Sequence, residues 1–224
     1  MSTLFIVATP IGNLSDLSER AKKTLANVAT ILCEDTRVTG KLLSAYAIHV
    51  PLLSYHQHSG QFKTQKIIEL LEDQKDLALV TDAGTPAISD PGGKLVKELL
   101  VHFEDRLTIT PIPGPSALIA ALSIAGVPAD EFTFLGFPPH KKGRQVFFDR
   151  LAKMSSTVVL YESTHRIFKT LEEIHKRTPD RLLVVCRELT KMYETIYRGS
   201  AQEVTVKLQA TSYKGEFVLV FSPL

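Results

Sequence analysis

With 224 residues, 44% hydrophobic and 22% charged, the chain has the composition of a folded globular protein, one large domain or two small ones, and not of a disordered one. No apolar run approaches the roughly 20 residues of a membrane span, and the opening Met1-Ser2-Thr3-Leu4 lacks the features of a signal peptide, so a cytoplasmic protein off the membrane is expected. The net charge of +2 is uneven: residues 1–112 hold 11 basic and 13 acidic side chains, residues 113–224 hold 15 and 11, a bias that suits a polyanionic partner but also an ordinary solvated surface.

In chain order, residues 3–8 form an apolar run of β-formers, the pattern of a strand covered on both faces. A helix follows over 16–29, with Asp16 and Glu19 as a capping pair and Leu17, Ala21, Leu25 and Val28 on one face. Strands are then predicted over 29–33, 51–54, 77–81 and 107–112, and helices over 38–46, 64–71 and 94–101. Pro111-Ile112-Pro113-Gly114-Pro115 reads as a stiff connector, which places a domain boundary between 112 and 113. Beyond it, helices are predicted over 117–125, 145–153, 167–176 and 201–208, and strands over 132–136, 157–161, 181–186, 194–198 and 217–221. The fold class is therefore α/β, with two α/β domains, 1–112 and 113–224. Cys33 and Cys186 each close an apolar run and read as buried free thiols; no Cys/His spacing fits a zinc site, and no metal is expected.

Four predicted strands run into loops rich in Gly, Pro and small polar residues, at 8–13, 34–37, 81–92 and 113–117. Open α/β sheets bind ligands outside the carboxyl ends of their strands. Together the loops read as a ligand site, although any one alone reads as well as a tight turn. Neither G-x-G-x-x-G nor G-x-x-x-x-G-K-[ST] is present, so the dinucleotide and P-loop fingerprints are missing. In the third loop Gly84 permits close approach and Pro86 and Pro91 fix the path. That suits a zwitterionic ligand with a ribose and a base better than a phosphate chain.

The same segments resemble the tetrapyrrole methylase superfamily, and within it the branch that methylates small-subunit ribosomal RNA. Residues 8–13, 34–37, 82–92 and 111–117 match the motifs ATPIGN, EDTR, DAGTPxISDPG and PIPGPSA. Ser54-Tyr55-His56 with His58 is similar to SYHxH, residues 161–166 to YESPHR with Thr164 where proline is usual, and residues 187–191 and 214–217 to RELTK and KGEF. The resemblance runs from residue 3 to 221. It implies a cofactor cleft between two α/β domains, S-adenosylmethionine as cofactor and a homodimer. It also implies methyl transfer to the ribose 2′-hydroxyl of a cytidine in the decoding region of 16S ribosomal RNA, within the 30S subunit. Members often carry a further C-terminal helical region, and this sequence stops just after its last predicted strand, which implies a weaker or differently aided grip on ribosomal RNA.

By that resemblance Thr9 and Pro10 border the cofactor; Asp82, Gly84, Thr85, Ala87 and Ile88 line its methionine and ribose; Ser116 and Ala117 close over it; Tyr161, Leu189, Gly215, Glu216 and Phe217 wall the adenine. Asp82 can accept bonds from ribose hydroxyls or an amino group, or serve as a turn residue. A ribose hydroxyl needs a base, and the candidates around the reaction are Glu34, Asp35, His56, Glu162, Arg187, Glu188 and Lys191. Arg37, Arg166 and Arg187 suit phosphate clamping, and each charged residue reads equally as a structural ion pair. His140-Lys141-Lys142-Gly143-Arg144 reads as an RNA-phosphate contact or a solvated loop. Competing readings are a tetrapyrrole or protein side-chain methyltransferase of the same superfamily and a non-catalytic RNA-binding module; a nucleotide-dependent oxidoreductase is disfavoured by the missing fingerprint.

Overall fold

A computed structural model describes residues 1–56 and 59–224; His58 lies outside them. The chain divides into two compact units, Met1–Ser116 and Ala117–Leu224. Among the described residues no helix is long and apolar enough to cross a membrane.

The first unit is a five-stranded, wholly parallel sheet in the order β3-β2-β4-β1-β5, built from β1 (Thr3–Val7), β2 (Thr30–Cys33), β3 (Leu52–Ser54), β4 (Leu77–Leu79) and β5 (Thr108–Ile112). Its helices are α1 (Glu19–Asn27), α2 (Thr36–Ala45), α3 (Gln61–Glu72) and α4 (Gly92–Phe103). Apolar side chains alternate between two cores. Leu32, Leu77 and Leu79 join Ile67, Leu71, Leu95 and Leu99 of α3 and α4. Ile31, Cys33 and Ala78 join Ala21, Leu25 and Leu43 of α1 and α2. Burial on both faces is why these strands read as continuous apolar runs. Pro111 lies inside β5, which tolerates it as an edge strand. Residues 113–116 remain with the first unit. The expected Asp16–Glu19 cap is corrected: a 3-10 turn at Leu14–Asp16 precedes α1, and the cap is Ser18, whose hydroxyl accepts from the Ala21 amide.

The second unit begins with α5 (Ala117–Ala125), followed by β6 (Phe132–Phe134), α6 (Arg144–Ala152), β7 (Thr157–Ser163), α7 (Ile167–Arg177), β8 (Leu183–Arg187), β9 (Thr195–Gly199), α8 (Ala201–Ala210) and β10 (Glu216–Phe221). The sheet order is β6-β7-β10-β8-β9, with β6 parallel to β7 and the other pairs antiparallel. No helix separates β8 from β9, so that pair closes as a hairpin. Helices α6, α7 and α8 share one core with Val158, Leu160, Val185, Leu219 and Phe221, and α5 packs on β10. Cys33 and Cys186 are both buried and unpaired, as expected; burial pushes the Cys186 thiol up to about 12.

Arg181, 7% exposed, pins the far end of this sheet. Its guanidinium donates to the carbonyl oxygens of Ser222, Leu151, Met154 and Ser156 at 2.7–3.2 Å and lies over the Phe221 ring. Each bond from a charged donor contributes about 1.5–3 kcal/mol. Arg181→Met is expected to cost at least about 3 kcal/mol in urea unfolding; a loss below about 1 kcal/mol would show that the carbonyls find other donors.

Candidate active site

Three of the four loops in the first unit are knitted at the carboxyl edge of its sheet. Thr9 and Gly84 exchange two backbone bonds, 2.9 and 3.1 Å, in an isolated antiparallel bridge. The Thr9 hydroxyl donates to the Thr81 carbonyl at 3.1 Å. Gly84 has φ +84°, and a Cβ there would lie 3.4 Å from the Ile11 side chain. Thr85 donates to the Pro115 carbonyl at 3.1 Å, and a Cβ on Gly114 would lie 3.1 Å from that of Ala8. Thr9 is 1% exposed, and its hydroxyl, amide and carbonyl are all engaged in ties to the 81–84 segment.

The third loop turns through two left-handed residues that are not glycine, Ala87 (φ 72°) and Ser89 (φ 64°). Such residues cost on the order of 1–3 kcal/mol each. Asp90 Oδ1 holds the turn by accepting from the amides of Ala87 at 2.9 Å and Gly92 at 2.7 Å. A Cβ on Gly92 would lie 2.9 Å from that same oxygen. Asp90 was not singled out from sequence; an Asp two residues before a helix-opening glycine was the available signal. Ala87 and Ile88 are exposed here.

The second loop joins this edge through Asp35, which caps α2 by accepting from the Arg37 amide. Arg37 returns two side-chain nitrogens to the Asp35 carboxylate, at 2.6–3.2 Å. The Asp35 amide donates to Asp82 Oδ1 at 3.3 Å. The Arg37 bonds hold the Asp35 carboxyl well below the usual carboxylate range, which makes it a poor base. Glu34 behaves oppositely: burial first, then the charges of Asp90 and Asp82, push its carboxyl up. Burial also raises Asp82, opposed by the Asp35 amide. The result is an acid-rich edge of Glu34, Asp35, Asp82 and Asp90. His56 is exposed, and its amide donates to Ser59 Oγ; no bond from its ring to this set is present among the described residues. No group of described residues could hold a metal ion.

The second unit brings together another set. Glu188 Oε1 accepts from Lys191 Nζ and the Glu216 amide, both at 2.9 Å, and Lys191 also reaches Glu216 Oε2 at 2.8 Å. Burial opposes ionisation of Glu188, but these donors outweigh it and hold its carboxyl low. Glu188 (φ 53°) and Thr190 (φ 65°) are again left-handed, with the Thr190 amide held by Glu194 at 2.6 Å. A Cβ on Gly215 would strike Glu188 Cγ at 2.6 Å. Thr164, where the family pattern has proline, both donates to the Gly215 carbonyl (2.6 Å) and accepts from its amide (2.7 Å), bonds a proline could not make.

Several of the expected site residues are engaged within the chain. Glu162 is 1% exposed. Arg166 and the Ser163 amide occupy its Oε1 and Thr170 its Oε2, at 2.6–2.8 Å, so both carboxylate oxygens are engaged within the unit. Arg187 donates to the carbonyls of Lys214 and Tyr193 and to Ser212, fastening the 188–194 and 212–215 loops, and is not free to clamp phosphate. Phe217 is buried in the core of the unit, and Leu189 is 8% exposed. The Tyr161 hydroxyl is engaged too: it accepts from the Leu118 amide at 3.2 Å, anchoring α5. Arg144 of the basic loop is 5% exposed.

Residues 3–205 match the family described as Tetrapyrrole (Corrin/Porphyrin) Methylases, and the chain belongs to that family. A protein of Synechocystis sp. called ribosomal RNA small subunit methyltransferase I is 44% identical over 99% of this chain and 79% of its own length. One of the same name from Thermotoga maritima is 40% identical over 99% of both chains. Among solved structures, a cobalt precorrin-4 methyltransferase superposes with a TM-score of 0.71 at 17% identity, covering 98% of this chain and 94% of its own. A uroporphyrin-III C-methyltransferase from Thermus thermophilus, complexed with S-adenosylhomocysteine, has a TM-score of 0.65 at 16% identity, covering 99% and 97%; these two likenesses show the fold.

Because its folded value is raised, Glu34 binds a proton more tightly folded than unfolded. The stability this gives is present below the unfolded value and is lost as pH rises through the folded one. Glu34→Gln is therefore expected to be more stable than the parent at pH 7, an advantage that shrinks as pH falls through the raised folded value and is gone by about pH 4. A difference in urea midpoint that is constant from pH 4 to 8 would contradict the charge cluster.

Proposed function

We propose that the protein is an S-adenosylmethionine-dependent methyltransferase of small-subunit ribosomal RNA, and that it methylates the ribose 2′-hydroxyl of a cytidine in the decoding region of 16S RNA, acting on the 30S particle as a cytoplasmic homodimer. The carboxylate set around Asp82 carries this reading. An edge with four carboxylates and Arg37 as its paired cation suits a ligand with an ammonium and a sulfonium, and suits a phosphate chain poorly. The name shared by relatives at 40–44% identity supports the substrate class.

The fit divides by residue. Asp82 is exposed, and its one hydrogen bond among the described residues, accepted by Oδ1 from the Asp35 amide, leaves Oδ2 open to an ammonium or a ribose hydroxyl. The Ala87–Ser89 turn, fixed by Asp90, presents a rigid surface at low entropic cost to the ligand. Bound S-adenosylmethionine supplies an activated methyl group on a positively charged sulfur. Glu34 is the carboxylate suited to accept the 2′-hydroxyl proton: its proton affinity is raised, and among the described residues its oxygens accept no bond. Asp35, Glu162 and Glu188 are held by partners. A corrin precursor is the competing substrate and belongs in the same assay.

Asp82→Ala removes one charge-assisted contact, about 1.5–3 kcal/mol, so the Kd for S-adenosylmethionine by calorimetry should rise about ten- to a hundredfold with the fold intact; an unchanged Kd would make Asp82 a turn residue only. Glu34→Gln should lower kcat about 10²- to 10⁴-fold with little change in that Kd. The assay is labelled-methyl transfer to undermethylated 30S particles, with the product nucleoside identified by mass spectrometry. Transfer to a corrin precursor and none to 30S would overturn the ribosomal reading.

A further inference from the structure

The two carboxylate oxygens of Asp90 have different surroundings. Oδ1 accepts from the amides of Ala87 at 2.9 Å and Gly92 at 2.7 Å, which fixes the turn ahead of α4. Oδ2 is buried and, among the described residues, has no hydrogen-bond partner. Buried acceptors are seldom left so. No cation among the described residues pairs with Asp90; Lys94, one helical turn further on, lies 3.7 Å from Glu98 instead. One oxygen suffices for the turn, so local structure does not account for the second.

The sheet shows what lies beside it. Leu32 and Leu79 are register partners in β2 and β4, and their side chains share a core with Leu95 and Leu99 of α4. That helix starts directly over them: a Cβ on Gly92 would lie 3.1 Å from Leu79 Cδ2 and 2.9 Å from Asp90 Oδ1. Glu34 comes two residues after Leu32, and the alternation of an extended chain carries it to the same face. Asp90 and Glu34 thus share one face at the carboxyl ends of β2 and β4. The other titratable groups near that end are Asp82 and Asp35, Lys94 and Glu98 of α4, Lys63 of α3, and Tyr55 and His56 after β3. Asp35 is paired with Arg37, Glu98 with Lys94 and Thr64, and Lys63 donates to Ser54 Oγ at 2.6 Å. Tyr55 is buried and His56 exposed. Burial first, then the charge of Asp90 and then that of Asp82, push the Glu34 carboxyl up.

We propose that Asp90 is a positioning residue for the methyl transfer: its Oδ1 fixes the turn at Ala87, and the unpaired charge of its Oδ2 stabilises the proton that Glu34 takes from the ribose 2′-hydroxyl. In that step the hydroxyl oxygen bonds to the methyl carbon, the methyl–sulfur bond breaks with its electron pair left on sulfur, and the proton passes to a Glu34 oxygen. Once Glu34 is protonated, the repulsion between the two carboxylates is gone. Asp90 touches neither substrate nor cofactor. It acts through Glu34, so the proposal rests on the reading of Glu34 as the base.

The test uses the full chain with Asp90→Asn, which keeps a carbonyl oxygen for the two amides and removes the charge. Asp90→Ser, which keeps a hydroxyl acceptor at the same place, is the second variant should the asparagine disturb folding. Two titrations are followed: the Glu34 carboxyl carbon by NMR in the ligand-free protein, and kcat for undermethylated 30S against pH. Removing a neighbouring negative charge weakens the base, so both midpoints should move to lower pH. The plateau kcat should fall by less than the roughly 10²- to 10⁴-fold expected of Glu34→Gln, with the Kd for S-adenosylmethionine unchanged. A raised Kd with both titrations in place would make Asp90 a turn residue only and overturn the proposal. A Glu34 resonance that moves in a protein showing no transfer to 30S would defeat the ribosomal reading and leave the coupling of Asp90 to Glu34 standing. Normal transfer with both titrations unmoved would do the reverse.

Discussion

The two backbone bonds between Thr9 and Gly84 are the contact on which the loop edge of the first unit's candidate site depends. They tie the loop after β1 to the loop after β4 across neighbouring parallel strands, and the Thr9 hydroxyl adds a third tie to Thr81. A side chain at residue 84 would have to adopt a left-handed backbone and press against Ile11. With this edge closed, Pro115 can accept from Thr85 and Gly114 can lie against Ala8. The proline-rich stretch is therefore tied into the loop edge of the first unit as well as leading into the second.

Both units solve the same problem in the same way. Each places two non-glycine residues in the left-handed region within a three-residue span, Ala87 and Ser89 in one, Glu188 and Thr190 in the other. Each holds that backbone with carboxylates that accept from main-chain amides: Asp90 on Ala87 and Gly92, Glu194 on Thr190, Glu188 on Glu216. An ionised carboxylate is a strong acceptor for an amide, so a strained loop can be kept rigid without burying apolar surface. Among the described residues, the acids of the motifs thus divide into those whose oxygens are taken up by amides and cations and those with an oxygen left open, Asp82 and Glu34 among them.

A similar division separates the arginines. Arg37 lies on the surface beside Asp35, whereas Arg144, Arg181 and Arg187 are buried and serve carbonyl oxygens. Arg144 connects through Thr170 to Glu162, and Glu162 to Arg166, so the core of the YES-HR segment is tied to the first residue of α6. In this unit the excess basic charge counted from sequence overstates what is free to meet a polyanion; Lys141 and Lys169 are exposed, while Arg144 and Arg187 are not.

The sequence by itself determined the alternation of strands and helices, the continuous apolar runs of β1, β2 and β4, and the loops that would carry the site, because burial on both faces and turn chemistry leave local patterns in residues such as Ile31-Leu32-Cys33 and Gly84-Thr85-Pro86. The ordered motifs also carried the family. Only the tertiary structure decided what each charged side chain does. Glu34 and Glu162 look alike in sequence, each closing a strand before a helix, yet among the described residues one has no donor and lies beside other acids, and the other is saturated by Arg166, Thr170 and an amide. The mixed sheet of the second unit and the role of Asp90 were hidden for the same reason: they depend on which backbone groups meet across tens of residues, and hydrogen-bond partners at that separation leave no periodicity to read.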